Sequence, residues 1–202
     1  MKISVLVSGG GTNLQALIDS IKNGDLPQTE IVLVVSSRKG VYALTRAEAA
    51  GIKTAVITDT EELIKILEEA GTDIVVLAGY MSILPPEVIR KFRGRIINIH
   101  PSLIPKYCGK GFYGERVHRA VLEGREKVSG ATVHFVDEGV DTGEIILQRE
   151  VPVLENDDVP TLAARVLAVE HQILSEAVRQ IGRLIWIDVP TSRLLVSDIS
   201  PL

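Results

Sequence analysis

Apolar positions fall along this chain in short runs that alternate between two spacings. Ile3 to Val7 and Ile31 to Val35 are continuously apolar, as strands buried on both faces are. Between them, Ser8-Gly9-Gly10-Gly11 precedes Thr12-Asn13-Leu14-Gln15-Ala16-Leu17-Ile18, whose apolar spacing is helical, so the chain opens as strand, tight turn, helix, strand. Tyr42 to Ala50 continues as a helix closed by Gly51, followed by a short strand from Thr54 to Ile57 and a helix from Glu61 to Ala70. Asp73 to Ala78 and Arg95 to Ile99 are further buried strands, separated by Pro85-Pro86 and a short helix from Glu87 to Phe92. Beyond a glycine-rich loop, Arg116 to Glu123 reads as helix. Val128 to Val136 and Glu144 to Val153 alternate like antiparallel strands, and Val159 to Ile181 is a long helix. The order predicts an α/β fold of three layers, Rossmann-like, with a mostly parallel central sheet.

Length and composition narrow the class. With 202 residues and 46% hydrophobic content, one domain spanning 1–202 is expected, with a core of ample size and a helical and extended tail at 182–202. The net charge of −4 and the scattered basic residues argue against nucleic acid or an anionic membrane, leaving small molecules as partners. Cys108 is the single cysteine, so no internal disulfide can form and a reducing compartment is expected. No secretory leader pattern opens the chain and no apolar run approaches the roughly 18 residues of a membrane span, so a cytoplasmic location is expected. No His, Cys or carboxylate cluster has metal-ligand spacing, and no metal is expected.

Three places carry candidate chemistry. In Ile97-Asn98-Ile99-His100-Pro101, residues two apart share a strand face, so Asn98 and His100 converge while Ile97 and Ile99 pack away. They stand at the carboxyl end of a parallel strand, where open α/β sheets bind ligands. In Asp137-Glu138-Gly139-Val140-Asp141-Thr142-Gly143, a glycine-bracketed turn between strands can bring Asp141 to the imidazole. The Gly9-Gly10-Gly11 turn suits a phosphate held by backbone N–H groups at a helix N-terminus. It is an incomplete dinucleotide fingerprint: the third glycine would fall at Leu14, and Ser36-Ser37-Arg38-Lys39 stands where an acidic residue should be. Those residues keep an NADP-binding reductase open as an alternative. Each feature also has a plain structural reading: a capped turn, a satisfied core Asn and His, a solvated acidic hairpin tip.

Four blocks in order, Val7 to Ala16, Val76 to Met81, Ile97 to Pro105 and Thr132 to Asp141, carry a resemblance to the folate-dependent formyltransferases that covers nearly the whole chain. The first block is similar to the branch that acts on glycinamide ribonucleotide. The resemblance implies the formyltransferase variant of the Rossmann-like fold, with a nucleotide- and phosphate-binding half at 1–100 and a folate and catalytic half at 101–181. It implies transfer of a formyl group from 10-formyltetrahydrofolate to the amine of 5-phosphoribosylglycinamide in purine biosynthesis. Asn98, His100 and Asp141 match the catalytic residues: Asn98 and an imidazolium His100 would donate to the developing oxyanion, and Asp141, expected to raise the imidazole's pKa, would assist proton transfer. Gly11, Thr12 and Asn13 match the phosphate-binding turn, and Glu170 a contact to ribose hydroxyls. Met81, Ser82, Ile83, Leu84, Asn98 and Val140 match the folate contacts.

The chain departs from the family pattern at Ser82, where arginine is common, and in a short 59–71 region, so electrostatic grip on the ligands is expected to differ. The loop from Lys106 to Gly114 is long, and its three glycines suggest a mobile lid. Cys108, inside it, reads as packing, and His134 as structural or supporting. Formyltetrahydrofolate deformylase is the nearest alternative, although that family usually carries an amino-terminal regulatory domain with no counterpart here. Methionyl-tRNA formyltransferase would need a further domain and a basic surface, and a ligand-binding module without catalysis would leave formyl-folate untouched. Homodimerisation is left open.

Overall fold

A computed structural model describes residues 1–186. In chain order the elements are β1 (Lys2–Val7), α1 (Thr12–Lys22), β2 (Glu30–Ser36), α2 (Tyr42–Ala49), β3 (Thr54–Val56), α3 (Thr60–Glu69), β4 (Ile74–Leu77), α4 (Pro86–Lys91), β5 (Ile96–His100), α5 (Glu115–Glu123), β6 (Val128–Phe135), β7 (Ile145–Pro152) and α6 (Val159–Trp186). Every predicted element is present, most within a residue or two of its expected bounds. The exceptions are α1, which continues four residues past Ile18, and the last helix. The last helix runs through Gly182, whose Cα packs towards the Met1 side chain, and ends five residues beyond the expected Ile181. The beginning of the expected tail is therefore helix, and its remainder lies outside the described residues.

One seven-stranded sheet in the order β3-β2-β1-β4-β5-β6-β7 forms the middle layer. The first five strands in that order are parallel, and β6 and β7 are each antiparallel to their neighbours. Strand alternation divides the core in two. Ile3, Val5, Val7, Ile74, Val76, Ile97 and Ile99 face residues of α1, α2, α5 and α6, including Leu14, Leu17, Ala43, Val121 and Leu162. Leu6, Val75, Leu77 and Ile96 face α3 and α4 through Leu63, Leu67, Val88 and Phe92. That is the expected three-layer arrangement.

The parity of β5 follows from this packing. Because Ile97 and Ile99 belong to the α1–α6 side, Asn98 and His100 must leave the opposite face, alongside Ile96. The strand order reverses direction between β1 and β4, the switch point where crevices open at the carboxyl ends of such sheets. Ser8 after β1 marks that place: its buried hydroxyl accepts a hydrogen bond from the Met81 backbone N–H after β4, at 2.9 Å.

Phe92 is the largest of the fully buried side chains and closes the α3/α4 layer. Phe92→Ala is expected to lower the unfolding free energy by about 3–5 kcal/mol, measured by urea titration; a loss below about 1 kcal/mol would mean the layer closes over the gap.

Candidate active site

A cavity of about 410 Å³ opens at the carboxyl ends of β4 and β5, and Asn98, His100, His118, His134, Asp141 and Glu170 contribute to its walls. Asn98 and His100 come from β5 and His134 from the paired register position on β6, where Asn98 and His134 lie directly opposite. Asp141 comes from the loop joining β6 to β7. Its backbone is left-handed, at φ 56°, and the loop is braced by Asp137, whose carboxylate accepts from the Gly139 N–H at 3.0 Å and the Thr142 hydroxyl at 2.6 Å. Any side chain at Gly143 would run into the Phe135 carbonyl. Asp137 and Gly143 are thus the local reasons that the Asp141 carboxylate turns inward.

The contacts of that carboxylate define the site. Oδ2 lies 3.5 Å from His100 Nδ1 and accepts from the Gly109 N–H at 2.9 Å. Oδ1 lies 3.6 Å from His134 Nε2 and 3.5 Å from Asn98 Nδ2. His134 Nδ1 reaches the Phe135 carbonyl at 2.8 Å, which assigns it the hydrogen and leaves Nε2 to accept from the Asn98 amide at 3.1 Å. One hydrogen of the Asn98 amide is therefore well used. The other, towards Asp141, is held at the long limit of a hydrogen bond and can turn to a better acceptor.

His100 donates from Nε2 to the Tyr107 carbonyl at 3.0 Å and presents Nδ1 to Asp141. Burial is the largest influence on the imidazole and lowers its pKa; Asp141 and the Tyr107 carbonyl oppose this incompletely, and the neighbouring His134 adds to the lowering. The expected imidazolium is therefore corrected: desolvation outweighs the carboxylate, and His100 rests neutral near pH 7. Burial would push Asp141 up, but its contact with His134, its attraction to His100 whenever that ring is protonated, and the Gly109 N–H together hold it below its ordinary range.

The long loop from Lys106 to Gly114 is tied to this cluster. Its backbone supplies the Tyr107 carbonyl to His100 and the Gly109 N–H to Asp141. Glu126 anchors the loop from outside through Lys106 Nζ and the Tyr107 hydroxyl, each at 3.0 Å. Cys108 Sγ contacts the Pro105 carbonyl at 3.3 Å, and burial raises its pKa, consistent with packing rather than nucleophilic use.

All six expected folate contacts, Met81, Ser82, Ile83, Leu84, Asn98 and Val140, line the cavity. Leu84 is buried, whereas Met81, Ile83 and Val140 are exposed at its mouth, giving an apolar rim that suits an aromatic ring system. Ser82, where the resemblance led to an expected arginine, bonds to Ser37 at 3.1 Å. Glu170 also lines the cavity, and the buried carboxylate accepts from Asn13 Nδ2 at 2.7 Å. Burial raises its pKa, with Asn13 opposing. Gly11 and Thr12 are not among the cavity-lining residues, and Asn13 meets it through Glu170. Residues of both the 1–100 and the 101–181 stretches line this one cavity. Among the described residues, no group of three His, Cys, Asp or Glu is placed to hold a metal.

Sequence reasoning placed His134 in support only and passed over His118. His118, on α5, is buried with an unpartnered Nδ1, and burial lowers its pKa. The helical spacing of Val117, His118 and Val121 was the available signal, and it reads as core.

A formyl transferase family model matches residues 1–178. The chain belongs to the formyl transferase family. Within that family, the chain is 41% identical to phosphoribosylglycinamide formyltransferase of Haemophilus influenzae, over 85% of this chain and 82% of that protein. It superposes on the crystal structure of glycinamide ribonucleotide transformylase 1 from Symbiobacterium toebii with a TM-score of 0.84 and 42% identity, covering 91% of this chain and 88% of that one. It is 45% identical to the trifunctional purine biosynthetic protein adenosine-3 of Drosophila melanogaster over 84% of this chain, but spans only 13% of that protein. The formyl transferase match therefore corresponds to one portion of the longer relative.

The lowered imidazoles set a pH dependence. His100, His118 and His171 all fall below their ordinary value of 6.5 through burial. As pH drops below that value the unfolded chain takes up protons first, so stability present above it is lost; Glu170, shifted upward, works in the opposite sense but is one group against three. The urea midpoint is expected to be lower at about pH 6 than at about pH 7.5, and an equal or higher midpoint at the lower pH contradicts the assignment.

Proposed function

We propose that this formyl transferase carries the formyl group of 10-formyltetrahydrofolate to the primary amine of 5-phosphoribosylglycinamide, giving the formylated nucleotide and tetrahydrofolate. The observation that carries the reading is the convergence of Asn98, His100 and Asp141 in one cavity beside Glu170. Its relatives' names and the Gly9-Gly10-Gly11 turn support the choice of acceptor. The described helices include none long and apolar enough to cross a membrane, and the free Cys108 supports a reducing compartment such as the cytoplasm.

In the proposed reaction the amine nitrogen attacks the formyl carbon, a C–N bond forms and the carbonyl oxygen takes the electron pair as an oxyanion; its collapse restores the carbonyl and breaks the bond from the formyl carbon to N10, which leaves with that bond's electron pair. The loosely held hydrogen of Asn98 Nδ2 turns from Asp141 to that oxygen. The amine must lose a proton and the leaving N10 must gain one. His100 Nδ1 and Asp141 Oδ2, 3.5 Å apart, form a pair that stores this proton. A neutral His100 suits the task better than a permanent imidazolium, because it can accept a proton as negative charge grows on the formyl oxygen and return it to N10. Met81, Ile83, Leu84 and Val140 would flank the pterin and exclude water that would hydrolyse the formyl group. Glu170 would accept from ribose hydroxyls, while the N–H groups of Gly11, Thr12 and Asn13 would receive the phosphate at the start of α1, which has no side-chain cap of its own.

The test is turnover of 10-formyltetrahydrofolate by the purified chain with and without the nucleotide. Nucleotide-dependent release of tetrahydrofolate is expected. Equal turnover without the nucleotide would instead indicate a deformylase, and nicotinamide-dependent absorbance change a reductase. His100→Ala and Asp141→Asn are each expected to lower kcat by about a hundredfold or more; a folded variant with near-normal kcat would remove that residue from the chemistry.

A further inference from the structure

Arg46 lies on α2, lines no part of the cavity and takes no part in the chemistry above, yet its guanidinium is committed to the glycine turn. Nε donates to the Gly10 carbonyl at 2.8 Å, Nη1 donates to Gln15 Oε1 on α1 at 3.0 Å, and the group lies 4.8 Å from the centre of the Tyr42 ring. One residue earlier in the turn, the Gly9 carbonyl accepts from the Ala43 N–H at 3.1 Å. Two successive carbonyls are thus turned towards α2. In a trans peptide the C=O and N–H of one unit point in opposite directions, and the cis peptide among the described residues is Ile104–Pro105, elsewhere in the chain. The N–H groups of Gly10 and Gly11 are therefore aimed away from α2.

Holding them there requires an external restraint. A Cβ at Gly9 or Gly10 would meet nothing within 4 Å, so no packed neighbour stands on that side of either residue, and the hydrogen bonds from the Ala43 N–H and from Arg46 are what hold their two carbonyls. A flip would exchange an N–H for a carbonyl on the face meant for an anion. Gly11 is fixed differently: at φ 73° it occupies the left-handed region, and a Cβ would stand 2.6 Å from that of Ala43. Successive outward N–H groups next to the first turn of a helix form an anion-binding concavity, and Asn13, the second residue of that helix, carries a buried Oδ1 with no partner.

We propose that Arg46 is a positioning residue for the phosphate of the acceptor. It clamps the Gly10 carbonyl so that the N–H groups of Gly10 and Gly11 converge with those that open α1, and it sets a cation behind them. The assignment rests on the reading that this turn holds the acceptor phosphate. Lysine keeps the charge but places its donors on a single nitrogen that cannot span Gly10 and Gln15 together, whereas methionine keeps only an uncharged stem.

The experiment compares the wild-type protein with Arg46→Met and Arg46→Lys, reading kcat, KM for each substrate, and the Kd of ribose 5-phosphate by calorimetry. Arg46→Met is expected to raise the acceptor KM and the ribose 5-phosphate Kd about tenfold or more, with folate KM and saturating kcat within about twofold, and Arg46→Lys to recover part of the loss. An acceptor KM and a ribose 5-phosphate Kd within about twofold of wild type overturn the proposal, as does a loss spread equally over kcat and both KM values with a lowered thermal midpoint. Wild-type protein without formyl transfer would overturn the proposed function instead, and the ribose 5-phosphate arm would then decide the role of Arg46 alone.

Discussion

The site is organised around the Asp141 carboxylate. It is the one group in contact with both imidazoles, His100 and His134, with the Asn98 amide and with the loop backbone at Gly109. A charge this enclosed survives only if its oxygens are satisfied, and each of those partners is itself aimed by something else. Asn98 and His100 are aimed by the packing of Ile97 and Ile99 on the other face of β5, and His134 by antiparallel register and the Phe135 carbonyl. Those partners are thus held in place independently of the carboxylate they satisfy.

The two ends of the cavity are joined by a second buried contact. Glu170, just before the middle of α6, accepts from Asn13 at the start of α1, so this long helix is tied to the glycine turn across 157 positions of sequence. This makes the ribose-binding carboxylate and the phosphate turn one unit in the proposed function, and it uses the Asn13 side chain structurally while its backbone N–H stays available. The loop from Lys106 to Gly114 plays a matching part beside His100 and Asp141: its glycines permit its path, but its Tyr107 carbonyl and Gly109 N–H bind the residues it covers.

Much of this was legible from local pattern. The runs at Ile3, Ile31, Ile74 and Ile96 announce buried strands because each faces helices on both sides, and period two alone puts Asn98 and His100 on one face. The glycine pair around Asp141 announces a turn that can carry a carboxylate inward. Other features left no local mark. His134 sits in an alternating strand and His118 in a helix with core spacing, so both read as packing until β6 and α5 are placed beside β5. The helix expected to stop after Ile181 instead runs through Gly182, which lies close to the Met1 side chain from the other end of the described chain.

The sequence by itself determined the α/β order, the shared strand face of Asn98 and His100 and the residue types available for acyl transfer, since those depend on spacing and on chemistry carried by each side chain. Tertiary structure decided the electrostatics. Whether a carboxylate raises or lowers its neighbour's proton affinity depends on how much water both have lost, and burial of His100 exceeds the attraction of Asp141 at 3.5 Å. The same holds for Asn98, His134 and Asp141: a strand pattern and a turn can bring them near, but the direction of each hydrogen bond is fixed only when β5, β6 and the loop meet.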